Sequence, residues 1–79
     1  MAVHVLFFGA TADAVGRRKI SIEFAGEERA RACFDQLIAQ YPELSKHRLL
    51  FALNQQYVQG DETVRDGDEL AVFTAVSGG

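Results

Sequence analysis

Apolar and polar positions change period several times along the chain, and each change marks an element. From Val3 to Phe8 every position except His4 is apolar, most are β-branched or aromatic, and Gly9 closes the run. That composition predicts a strand covered on both faces or nearly so. Residues 10–18 carry no strong period, and Gly16 with Arg17-Arg18 reads as a turn. Ile20, Ile22 and Phe24 then alternate with Ser21 and Glu23, the signature of a half-buried strand hairpinned to the first. Gly26 breaks this pattern, and Glu27 and Glu28 supply the negative charge that a helix N-terminus favours. Ala30, Cys33, Phe34, Leu37, Ile38 and Tyr41 recur at helical spacing and predict a three-to-four-turn amphipathic helix. Pro42 ends it, because the residue before a proline resists the α region.

Residues 43–48 form a polar connection with room for a short helical turn. Leu49 to Leu53 is a continuous apolar run and reads as a strand, with Asn54-Gln55 turning into a short strand around Tyr57-Val58. Gly60-Asp61 closes that piece, Asp66-Gly67-Asp68 is a strong turn signal, and Leu70 to Val76 is the last strand. The order is strand, strand, helix, strand, short strand, strand. The expected fold is α+β: a mixed sheet of four to five strands with one main helix laying Phe34, Leu37, Ile38 and Tyr41 across one face. This is the β-grasp arrangement of ubiquitin-like domains, with the first and last strands side by side in the centre.

Strand geometry then leaves a second apolar face. With Val5 and Phe7 toward the helix, Leu6 and Phe8 point away from it, together with His4. Phe73 and Ala75 likewise oppose Leu70 and Val72, and Tyr57 opposes Val58. One helix covers one face, so Phe8, Tyr57 and Phe73 are expected to form an exposed apolar patch of the kind that marks an interface. Shielding by the domain's own loops is the competing reading.

At 79 residues the chain makes one domain, 1–79, close to the lower limit for a self-sufficient core. Eleven acids against eight bases give a net charge of −3, the wrong sign for neutralising phosphates, so no nucleic-acid partner is expected. One cysteine makes neither an internal disulfide nor a zinc site by itself, and Cys33 within the helical stripe reads as a core hydrophobe rather than a reactive thiol. No window approaches the ~20 apolar residues that span a bilayer, and the N-terminus lacks a basic region. A reducing cytoplasm and no membrane partner follow as expectations. His4 and His47 are isolated, with no metal or triad spacing. Asp61, Glu62, Asp66, Asp68 and Glu69 fit turn chemistry and solvation; steering of a basic partner pocket is the alternative.

The chemistry-bearing candidate is the end of the chain, Val76-Ser77-Gly78-Gly79. Two glycines without Cβ atoms make a slim, mobile end, and four extended residues at roughly 3.3–3.6 Å each carry a carboxylate about 13 Å beyond the sheet. Such an end suits entry into another protein's active site. An inert, disordered end is the plainer reading.

Over essentially its whole length the chain resembles the small subunits of molybdopterin synthase, the MoaD family of ubiquitin-like sulfur carriers within the MoaD/ThiS superfamily. The matching pieces are Val5-Leu6-Phe7-Phe8, Asn54-Gln55, Asp66-Gly67-Asp68-Glu69 and Val76-Ser77-Gly78-Gly79. The resemblance implies a carrier with no catalytic apparatus and no bound cofactor of its own. A ubiquitin-activating-type, MoeB-like partner would use ATP to adenylate Gly79, and a sulfur donor would convert it to a thiocarboxylate. That end would then enter a MoaE-like large subunit, in a two-plus-two assembly, and sulfurate a pterin precursor, making the chain the sulfur-donating part of a sulfurtransferase. Phe8, Tyr57 and Phe73 match family interface positions, and Gly78 with Ser77 and Val76 would thread the tunnel. One departure is plain: the family usually carries a pair of prolines where this chain has Thr74-Ala75, which predicts a less stiffened tail. A carrier for thiazole synthesis or tRNA thiolation needs the same Gly-Gly end. A ubiquitin-like modifier forming isopeptide bonds and a plain interaction domain are the readings from other classes.

Overall fold

Alternation in Val3-His4-Val5-Leu6-Phe7 becomes a central strand whose odd residues are buried and whose even residues stay half-buried. In the computed structural model, which describes residues 1–75, this strand is β1 (Ala2–Phe7). It is followed by α1 (Ala10–Val15), β2 (Lys19–Glu23), β3 (Glu28–Arg29), α2 (Ala30–Gln40) and a 3-10 turn (Pro42–Lys46). Then come β4 (Leu49–Leu53), β5 (Gln56–Tyr57), β6 (Thr63–Val64) and β7 (Glu69–Thr74). The main sheet has five strands in the order β2-β1-β7-β4-β5, with β1 and β7 parallel at the centre and the other pairs antiparallel. The mixed sheet, the single main helix and the adjacent first and last strands agree with the β-grasp expectation.

The core lies between the sheet and α2. Val3, Val5, Phe7, Leu70 and Val72 from the central strands meet Ala30, Cys33 and Leu37 from the helix, all buried. Phe34 stacks on Phe51 with ring centroids 3.8 Å apart, and Phe7 meets Tyr41 edge-on at 6.0 Å. A leucine as enclosed as Leu37 contributes about 1.5–3 kcal/mol by leaving water. The helical stripe is narrower than its spacing suggested: Ile38 is 36% exposed, because burial centres on Ala30, Cys33 and Leu37 and Ile38 falls on its margin.

Three local expectations are corrected. Residues 10–15 are helical rather than irregular. The helix is enclosed by Gly9 (φ 59°) and Gly16 (φ 77°), two left-handed positions that glycine takes at little cost. Glu28 does not sit in the first helical turn: it pairs with Val64, and β3–β6 is a separate two-stranded piece that periodicity did not reveal. The first N–H groups of α2 are satisfied instead by the 60–62 loop, Ala30 N–H donating to Glu62 O at 2.8 Å and Arg31 N–H to Gly60 O at 3.0 Å. Glu62 shapes that loop by accepting from Gly60 N–H at 2.8 Å and Gln59 N–H at 3.1 Å. Those backbone donors, with Glu62's own N–H, hold its carboxyl below the usual glutamate range. Gly60 (φ 129°) takes a backbone conformation that side chains rarely adopt; a Cβ there would also meet the Arg31 guanidinium at 2.7 Å, a contact that flexible side chain can yield.

The two turns read from sequence are present. Asn54 (φ 49°) and Gln55 (φ 74°) make a tight β4–β5 reversal in which both central residues are left-handed. Asn54 is tied to the turn before β7, with its side-chain amide donating to Asp68 at 3.1 Å and its Oδ1 accepting from Glu69 N–H at 3.0 Å.

Candidate functional site

The face of the sheet away from α2 is assembled by register. Leu6 pairs with Ala71, Ala71 with Ala52, and Ala52 with Tyr57, while Phe73 pairs with Leu50. Cross-strand partners share a face, so these side chains share the side opposite the core. Tyr57 is 72% exposed, Phe8 51% and Leu50 36%. Phe73 is half-buried, its ring 5.8 Å from that of Tyr57. Phe8 N–H donates to Val72 O at 3.0 Å, which sets Phe8 one step beyond the Phe7–Val72 pair, at the end of the sheet where Phe73 lies. The structure thus brings the predicted Phe8, Tyr57 and Phe73 to one uncovered face and adds Leu50. Sequence reading missed Leu50 because its orientation depends on the register of β4 against β7.

The same end of the sheet is where β7 leaves. The β4–β7 ladder continues past Thr74, with Ala75 N–H donating to Arg48 O at 2.9 Å. A proline at position 75 would have no N–H for that bond. A hydrogen bond to Arg48, just before β4, therefore guides the chain as far as Ala75. Val76, Ser77, Gly78 and Gly79 lie outside the described residues.

Helix α1 braces this end. Thr11 is fully buried; its hydroxyl oxygen lies 2.7 Å from Phe8 O and 2.8 Å from Val72 O and accepts from Phe8 N–H at 3.0 Å. One side chain thus ties α1 to the ends of β1 and β7. Beside it an open groove of about 640 Å³ runs past Leu6, Phe8, Gly9, Asp13, Arg18 and Lys19.

Charge divides along the strands. Arg17, Arg18, Lys19 and Arg48 are exposed at the end where β7 leaves, and none is in an ion pair among the described residues. The opposite end carries Glu23, Asp66, Asp68 and Glu69. An acidic chain thus presents a basic rim around its exit, which favours approach to negative rather than positive surroundings.

Nothing described resembles a hydrolytic or redox centre. Burial, with Glu28 and Asp68 nearby, pushes the Cys33 thiol up to about 11, so it stays protonated and inert, as its place in the stripe suggested. His4 Nδ1 lies 3.3 Å from Ser21 Oγ on the surface, and no group of three or more His, Cys, Asp or Glu among the described residues is placed to hold a metal. What the geometry can do is dock: an apolar face with a basic rim, from one end of which the chain departs.

Comparison with known proteins points the same way. The sequence model of the ThiS family matches residues 5–79. The molybdopterin synthase sulfur carrier subunit of Chlamydomonas reinhardtii is 34% identical, in an alignment covering all of both chains. SAMP1 from Haloferax volcanii, at 25% identity, superposes over the whole of both chains with a TM-score of 0.88. Subunit 1 or 2 in the molybdopterin-converting factor complex of Helicobacter pylori has the same fold, with a TM-score of 0.70 at 21% identity over all of both chains. With a family match from β1 to the last residue and a curated relative aligned end to end, the chain belongs to the ThiS family.

Proposed function

We propose that this protein is the sulfur-carrier small subunit of a molybdopterin synthase and that Gly79 is its reacting residue. The observation that carries the reading is the uncovered apolar face of Phe8, Leu50, Tyr57 and Phe73 at the end of the sheet where β7 departs. A partner seated on that face would receive whatever follows Ala75.

The chemistry divides between partners. In a MoeB-like enzyme, a Gly79 carboxylate oxygen would attack the α-phosphorus of ATP and release pyrophosphate, giving an acyl adenylate. A free carboxylate is a poor acyl electrophile because its charge is spread over two oxygens; adenylation supplies a leaving group. Sulfide-level sulfur from a donor would then displace AMP and leave a thiocarboxylate, a soft nucleophile that attacks the pterin precursor within a MoaE-like large subunit; water would then cleave the acyl–sulfur bond, leaving the sulfur on the precursor and Gly79 as a carboxylate. Gly78 and Gly79, without Cβ atoms, would pass a narrow entrance. Here ATP belongs to the activating partner, and this chain binds no cofactor. We place the reaction in the cytoplasm; no helix among the described residues is long and apolar enough to cross a membrane.

The test is intact-mass measurement after incubation with ATP, the activating enzyme and a sulfur source. The expected result is the mass increment of one sulfur-for-oxygen exchange, lost when Gly79 is deleted. No increment under conditions that load a known carrier overturns the reading. A modifier role is the second reading, favoured by the likeness to SAMP1, a small archaeal modifier protein. It predicts a ladder of higher-mass conjugates in cells, with the chain joined to target lysines.

A further inference from the structure

Strand β2 lies at the rim of the five-stranded sheet, and its outer side has no partner strand among the described residues. The ladder shows which backbone groups are left open. Phe7 N–H donates to Arg18 O at 2.9 Å and Phe24 N–H to Met1 O at 2.8 Å. In an antiparallel ladder, groups facing the partner alternate with groups facing away. Arg18, Ile20, Ile22 and Phe24 therefore turn their backbone toward β1. Lys19, Ser21 and Glu23 turn their N–H and C=O groups to the open rim.

The side chains of the same three residues stand on the outer face, through the pairs Leu6–Lys19, His4–Ser21 and Ala2–Glu23, and all three are exposed. Lys, Ser and Glu at this spacing are self-complementary. Turned over about a two-fold axis through Ser21, a second copy sets its Glu23 opposite Lys19, its Ser21 opposite Ser21 and its Lys19 opposite Glu23. Every open N–H then meets an open C=O, and both charged pairs have opposite sign. On the inner side Ile20 meets Ile22 of the second copy, which adds cover to the half-buried Ile20.

Other registers fit less well. A shift of one residue in the pairing turns side chains to the wrong face, and a shift of two sets Lys19 against Ser21 and breaks the Lys–Glu match. Charge on a rim strand ordinarily keeps strangers away. Here the pattern repels an unrelated strand while matching its own copy reversed. Among the described residues Glu23 is otherwise engaged only by the Met1 amine at 3.8 Å.

We propose that the protein self-associates through antiparallel pairing of β2 with β2 of a second copy, centred on Ser21, giving a continuous ten-stranded sheet from two five-stranded ones. The contact is at the rim, so the face bearing Tyr57 and Phe73 stays open. The inference does not depend on the sulfur-carrier reading.

Sedimentation equilibrium of the full chain over a wide concentration range tests it, with circular dichroism confirming that each variant is folded. Wild type should show a monomer–dimer equilibrium. Lys19→Glu puts like charges opposite at both ends and should weaken association roughly tenfold. The exchange Lys19→Glu with Glu23→Lys restores opposite charges and should recover wild-type association, which a merely structural role for Lys19 would not do. Tyr57→Ser should leave association unchanged. Monomer at every concentration, failure of the double exchange to recover what Lys19→Glu loses, or loss of association in Tyr57→Ser would each overturn the proposal.

Discussion

The two faces of the sheet are made from the same strands and nearly the same kinds of side chain, yet they behave differently. Toward α2, Val3, Val5, Phe7, Leu70 and Val72 are sealed by Ala30, Cys33 and Leu37. Away from it, Leu6, Phe8, Leu50, Tyr57 and Phe73 are just as apolar, with nothing folded over them among the described residues. Hydrophobicity alone does not separate core from interface. The separation comes from counting layers: one helix seals one face, and an apolar second face on so small a domain is left for a partner.

The contrast can be broken or sharpened by substitution. The largest stability effect belongs to the sealed face: Leu37→Ala should cost about 2–5 kcal/mol by chemical denaturation, since the cavity opens in the middle of the packed layer. Tyr57→Ser on the open face should change stability by no more than about 0.5 kcal/mol. The same variant should weaken binding to the large subunit by roughly 30-fold in calorimetry, as the loss of a buried aromatic anchor does. Equal stability losses at the two positions would erase the distinction. The smallest effect concerns the loop that caps the helix. Glu62 accepts backbone hydrogen bonds as a carboxylate, which lowers its folded pKa from an ordinary 4.5. Its contribution is therefore full above the ordinary value and is lost as pH falls through the lowered folded value. Glu62→Gln should flatten the acid side of the stability profile, read from thermal midpoints against pH, by lowering the midpoint slightly at neutral pH and leaving the acid end little changed.

Elements with a long period were legible from sequence. The alternation in β2, the apolar runs of β1, β4 and β7, and the stripe of α2 each repeat a signal across several residues. Both turns were legible as well, at Asn54-Gln55 and Asp66-Gly67-Asp68, because residue type there reports directly on backbone angle. Helix α1 was not. It has six residues, too few for a stripe, and its anchor is Thr11 reaching Val72, a partner 61 positions away. The β3–β6 pair is a tertiary contact between residues that carry no strand pattern, and Glu28 looked like a helix cap only because its partner Val64 was unseen. In the site, parity along one strand identified Phe8, Tyr57 and Phe73. Leu50 needed the register between two strands.

The place of β7 has a mechanical consequence. It is bonded on one side to β1 in parallel and on the other to β4 in antiparallel fashion, and the second ladder reaches Ala75. Tension applied along the strand from beyond Ala75 would load both rows of hydrogen bonds in shear, all at once, instead of peeling them open in sequence. A machine that grips the far end and tugs would meet a handle welded through the middle of the body.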